Sequence, residues 1–116
     1  MGNYRLILNL LIMAIHKVNS DDNGSTIVIA DGDTIIIELS ENPTTGYTWI
    51  LKNSKTEQII EKSNNYTSTN TGIGSGGTRV FEFIMKIGEG GSIILDNAQR
   101  WSSDVYQTFH LTYTFD

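Results

Sequence analysis

Tyr106-Gln107-Thr108-Phe109-His110-Leu111-Thr112-Tyr113-Thr114-Phe115 alternates strictly, with Phe109, Leu111, Tyr113 and Phe115 on one side of an extended chain and Thr108, His110, Thr112 and Thr114 on the other. Successive side chains of a strand point to opposite faces, so this stretch predicts a strand with one face in a core and one toward solvent. A strand covered on one face only belongs to an antiparallel sheet rather than to a parallel sheet buried on both faces. Residues 78–86 repeat the pattern, with Arg79, Phe81, Phe83 and Met85 opposed to Val80, Glu82, Ile84 and Lys86. Phe81 and Phe83 are therefore expected in the core.

Moving outward, Gly88-Glu89-Gly90-Gly91 reads as a turn before a strand at residues 92–95. The β-branched runs at 26–29 and 34–39 flank Ala30-Asp31-Gly32-Asp33 and read as a hairpin. Residues 47–51 form a further run, while 56–63 fits either a short strand or a helical turn. No long helix is evident. Short strands punctuated by Gly, Asn, Asp and Ser predict an all-β chain, with an immunoglobulin-like antiparallel β-sandwich as the leading architecture. An open barrel is the alternative, because patterning does not say which strands pair.

The 116 residues fit one domain, expected over residues 16–116. There is no cysteine, which removes disulfides, thiolate metal sites and a cysteine nucleophile together. A net charge of -5, without a run of Lys or Arg, argues against nucleic-acid binding. Residues 1–15 form an apolar extension in which the run 6–15 stands behind Arg5, partly like a secretory signal. The run falls short of a membrane span, is interrupted by Asn9, and has no clear small-x-small cleavage site after it. On that reading the protein is expected in the cytoplasm, with secretion or a vesicular location as the alternative, and as a monomer.

Catalytic readings lack parts. The histidines His16 and His110 stand far apart and outside any metal-ligand spacing. His110 lies in a ladder of threonines and reads as a surface residue. No Gly-x-Ser-x-Gly elbow is present, and Asp21-Asp22 and Asp31/Asp33 fall in turn-like segments where Asp caps local backbone. No enzyme, metal site or cofactor is expected. What strand formation leaves unexplained is three segments, 42–47, 71–77 and 96–103, and loops at one end of a sandwich are where binding concentrates. In the first, Pro43 fixes its own φ and extends Asn42, while Gly46 is free to take a positive φ. Such a loop is stiff before it binds anything, and Thr44 and Thr45 offer hydroxyls at its tip. The same residues also make an ordinary tight turn. Gly72, Gly74, Gly76 and Gly77 lighten the second segment, which precedes a strand and lacks the Lys-Ser/Thr and helix of a phosphate loop. Arg100 and Trp101 in the third are residue types that anchor interfaces, although Trp101 also suits a core.

Taken in this order, the three segments resemble the chagasin family of inhibitors of papain-like cysteine proteases. Asn42-Pro43-Thr44-Thr45-Gly46-Tyr47 matches the family's Asn-Pro-Thr-Thr-Gly-aromatic motif at each position, with Trp49 following. Gly74-Ser75-Gly76-Gly77 is similar to its Gly-x-Gly-Gly loop. The third loop departs from the family's Arg-Pro-aromatic pattern, reading Gln99-Arg100-Trp101, which leaves the part played by Arg100 open. The resemblance implies an immunoglobulin-like sandwich with three binding loops at one end, needing no cofactor. Residues 42–47 would enter a protease cleft and the other two loops would grip its walls. The competing reading is a non-inhibitory recognition or adhesion module that uses the same loop end for another partner.

Overall fold

The computed structural model describes residues 13–53, 57–69 and 76–116, and within them the chain is built from eight strands and two single 3-10 turns. The strands are β1 (Ile15–Asn19), β2 (Thr26–Ile29), β3 (Thr34–Glu41), β4 (Tyr47–Asn53), β5 (Ile59–Ser68), β6 (Gly77–Met85), β7 (Gly91–Gln99) and β8 (Val105–Phe115). They form two four-stranded sheets, ordered β1-β3-β6-β5 and β2-β8-β7-β4. The sandwich is the expected architecture. Within it, β3-β6, β5-β6, β4-β7 and β7-β8 pair antiparallel, while β1 and β2 are added in parallel at one edge of each sheet, against β3 and β8.

The core follows the alternation. Ile35, Ile37 and Leu39 of β3, Phe81, Phe83 and Met85 of β6, Ile93 and Leu95 of β7, and Phe109, Leu111 and Tyr113 of β8 are buried between the sheets. Phe81 and Phe83 stack with ring centroids 5.7 Å apart. Burial of side chains of this size stabilises by roughly 1.5–3 kcal/mol each before entropy is counted. Low in the core, the Tyr113 hydroxyl donates to Gln58 Oε1 at 3.0 Å, and burial raises the pKa of that phenol, which keeps it a donor.

Two expectations are corrected and one open choice is resolved. Residues 26–29 and 34–39 do not form a hairpin, because β2 lies in one sheet and β3 in the other. The intervening corner is held by Asp33, whose carboxylate accepts from the Ala30 and Ala14 amides, each at 2.9 Å, and contacts His16 Nε2 at 2.8 Å. Those bonds bring β1 beside β3, where a hairpin partner would otherwise sit. Of the open choice at 56–63, Thr56 lies outside the described residues, 57–58 are a turn and 59–63 are the start of β5, whose ten residues continue through Asn64 and Asn65 on a sheet edge. Finally, residues 96–99 are strand rather than loop, so the third loop contracts to 100–104.

Inward phase on β3 does not stop at Leu39. Glu41, its last residue, is the next inward position, and its carboxyl group is fully shielded from solvent. Arg79, which shares the inward face of β6, donates Nη2 to Glu41 Oε2 at 2.7 Å, and the Thr48 hydroxyl and Trp49 amide donate to Oε1 at 2.9 and 2.8 Å. Burial pushes the Glu41 pKa up, but hydrogen bonds from Arg79, Trp49 and Thr48 outweigh it and hold the group below its usual range. Asp33 is likewise held low, its burial outweighed by His16 and two backbone amides. A carboxylate whose pKa is depressed by folding contributes stability that is complete above its unfolded pKa and is lost as pH falls through the folded value. Stability is therefore expected to hold above about pH 5 and to decline through about pH 4 and below, with Glu41→Gln and Asp33→Asn each flattening that decline in urea titrations. At neutral pH Glu41→Gln is expected to cost about 3 kcal/mol, the low end for a broken buried pair because the Arg79 side chain retains 20% exposure; a loss below about 1 kcal/mol would contradict the role assigned to this carboxylate.

Candidate functional site

The register brings three loops to one pole of the sandwich. Glu41 pairs with Gly77, Ser68 with Gly77, and Tyr47 with Gln99, so the β3–β4, β5–β6 and β7–β8 connections all leave the sheets at the same end. Loop 1 crosses from one sheet to the other, whereas the other two loops each close a hairpin within a sheet.

Loop 1 is a single 3-10 turn, Pro43–Thr45, between an extended Asn42 and a left-handed Gly46 at φ +83°. Asn42 Oδ1 accepts from the Thr44 amide at 3.2 Å and the Thr44 hydroxyl at 2.7 Å. The Thr45 hydroxyl donates to the Asn42 carbonyl at 2.7 Å and accepts from the Tyr47 amide at 3.3 Å, while the Gly46 amide donates to the Pro43 carbonyl at 3.0 Å. Each residue of the motif thus has a geometric task. Asn caps the turn, Pro supplies its φ at the first position, the threonines cross-link it, and Gly takes the conformation that side chains disfavour. Both hydroxyl protons are used inside the loop, so what Thr44 and Thr45 have left to offer is methyl groups and oxygen lone pairs.

The neighbouring loops buttress loop 1 on its two sides. Gly76 packs so closely that a Cβ there would stand 2.9 Å from the Glu41 carbonyl and 3.5 Å from Asn42 Cβ. Gly77 is buried, and a Cβ on it would run into Thr67 and the Tyr66 hydroxyl. These two glycines therefore serve close approach within the fold. Thr69 closes the base of the second loop, its hydroxyl donating to the Gly76 carbonyl at 2.7 Å. Gly74 and Ser75, also expected at the site, lie outside the described residues.

On the other side Trp101 is 72% exposed and lays its indole against Gly46, where an added Cβ would meet Cζ2 at 2.8 Å. Trp101 is thus an exposed aromatic at the site and not part of the core. Arg100, its neighbour, is exposed. The join between loops 1 and 3 continues below the indole. Gln99 Nε2 donates to the Thr45 carbonyl at 3.4 Å, the Tyr47 hydroxyl donates to the Asp104 carboxylate, and the Tyr47 and Tyr106 rings sit 5.7 Å apart, tilted by 53°. That hydrogen bond to Asp104 raises the Tyr47 pKa. Sequence reading missed Asp104 and Tyr106. Simple alternation would put Tyr106 with the outward threonines of β8, but the register shifts there, Asn97 pairing with Gln107 and Ala98 with Val105, and Tyr106, skipped by the pairing, packs on Tyr47 instead.

Comparison with known proteins agrees with this arrangement. The sequence model described as Chagasin family peptidase inhibitor I42 matches residues 28–113. Chagasin of Trypanosoma cruzi is 29% identical over 102 residues, covering 84% of this chain and 93% of that one. The crystal structure of a cysteine protease inhibitor from Entamoeba histolytica superposes with a TM-score of 0.78 at 20% identity, over 90% of this chain and 97% of the other. The solution structure of amebosin gives 0.71 at 27% identity, over 90% and 99%. A match that takes in loop 1, both flanking loops and most of both sheets settles the affiliation: the chain belongs to the chagasin family of peptidase inhibitors.

Proposed function

We propose that this inhibitor acts reversibly and tightly on papain-like cysteine proteases, with residues 42–47 entering the active-site cleft and the loops beside Gly76 and Trp101 resting on its walls. The observation that carries the reading is the ordered wedge: a turn cross-linked by its own side chains, standing between two buttressing loops at one pole. A loop already held in its bound shape loses little conformational entropy on docking, which favours affinity. Asn42, Pro43, Thr44, Thr45, Gly46 and Tyr47 supply the wedge, and Trp101 supplies an aromatic anchor of the type that dominates interface energetics. An interface of standard size, roughly 1,600 Å² in total, suffices for this mode of binding.

Inhibition on this reading needs no covalent step. A protease acts on a carbonyl brought within about 3–3.5 Å of its nucleophile in an aligned geometry. Residues 43–45 instead follow a 3-10 turn and Gly46 is left-handed, so the loop fills the cleft without offering an extended peptide bond to the thiolate. The inhibitor excludes substrate and survives the encounter.

The direct test is titration of papain at nanomolar concentration with the purified protein, following hydrolysis of a short fluorogenic peptide. Stoichiometric inhibition that reverses on dilution is expected; full activity of papain and of several related enzymes would reject the reading. Thr45→Lys puts a charge at the tip and is expected to weaken inhibition at least tenfold, about 1.4 kcal/mol, while Thr45→Ser, which keeps the two hydrogen bonds, stays close to the parent. Equal potency of the lysine variant would remove Thr45 from the cleft. Gly46→Ala is expected to lower stability by about 1 kcal/mol through backbone strain yet to reduce inhibition by more than tenfold, because the new methyl also displaces Trp101; a variant that loses stability alone would show that the contact between the two loops is dispensable.

A further inference from the structure

Beneath the wedge, the sandwich is open between its sheets. A cleft of about 690 Å³ enters there, lined by Glu41, Thr45, Tyr47, Asn97, Tyr106 and Gln107 among others. Asn97 follows Ile93 and Leu95 on the inward face of β7 and is only 5% exposed. Its Nδ2 donates to Gln107 Oε1 at 3.5 Å, which orients the amide, but among the described residues its Oδ1 is a buried side-chain acceptor with no donor. Leaving such an acceptor unpaired is costly, and folded proteins keep few of them. The surroundings say what kind of donor fits. Tyr47 and Tyr106 line the cleft, Tyr106 with 68% exposure, and aromatic rings attract cations. The Asp104 carboxylate stands at the Tyr47 hydroxyl, the Arg79 charge is met by Glu41, and the chain carries a net charge of -5.

We infer that this cleft is a second binding subsite, which takes a cationic hydrogen-bond donor, an arginine or lysine side chain presented by the bound protease beside the wedge. The identity of the presenting partner rests on the inhibitor reading above; the preference of the cleft for the cation does not, and the experiment addresses the cleft alone. The full chain, labelled with ¹⁵N, is titrated with Nα-acetyl-arginine methylamide, and the leucine analogue serves as control. Saturable shifts of the Asn97 and Gln107 side-chain amides at millimolar arginine probe are expected, with no response to the leucine probe. In Asn97→Leu, which removes the acceptor but keeps the volume, binding is expected to weaken at least tenfold, with the fold read from the same spectrum. Tyr106→Ala, at a 68% exposed position outside the core cluster, is expected to weaken it several-fold, with the fold read from the same spectrum. Absence of shifts, an equal response to both probes, or unchanged binding by both variants would overturn the proposal, whatever the outcome with papain.

Discussion

The buried carboxylate of Glu41 is the interaction on which the loop pole depends. It lies where the inward phase of β3 runs out, and it is met from β6 by Arg79 and from β4 by Thr48 and the Trp49 amide. One group therefore joins both sheets immediately below the turn that crosses between them. An ion pair out of solvent is stabilising only where its remaining hydrogen-bonding capacity is met, and here both carboxylate oxygens are engaged. The Trp49 indole reinforces the same joint, donating to the Ser40 carbonyl at 2.8 Å. Loop 1 can be rigid at its tip because its two stems are fastened to each other one residue below Asn42.

Rigidity at the tip and closeness at the flanks are two solutions to one problem. A protruding turn has few neighbours, so its order must come from its own side chains or from adjacent loops. This chain uses both. The Asn and Thr side chains satisfy the turn internally, and the flanks approach at glycines, Gly76 on one side and Gly46 beneath Trp101 on the other. Gly76 and Gly77, which in sequence belong to a glycine-rich loop, are spacing elements of the fold.

Much of the architecture was legible from period-2 patterning. Strands β6 and β8 read correctly because an alternation with one aromatic face admits a single placement relative to a core. The pairing of strands was not legible, since residues 26–39 carry the same local pattern whether they form a hairpin or cross between sheets; the corner depends on Asp33 meeting Ala14 and His16 from another strand. Asn64 and Asn65, poor strand formers by propensity, are strand because they sit on an edge paired to β6. At the site, the motif at 42–47 was legible because Asn, Pro and Gly each impose a backbone geometry. Asp104 and the buried Asn97 side chain were not, because their surroundings are set by other strands and loops.

The parallel seating of β2 against β8 has a consequence for how the chain reaches this state. Thr26 pairs with Thr112 and Ile29 with Phe115, so one edge of a sheet cannot form until the last strand of the domain is available. The same strand carries Phe109, Leu111 and Tyr113 into the core shared by both sheets. Contacts this distant in sequence must meet the entropy of closing a long loop before any burial rewards it, which places the chain among slowly folding topologies. On a ribosome, a nascent chain that has already exposed β3, β5 and β6 would still lack the side chains that β8 brings to the core, so the sandwich that carries the three loops would be completed late.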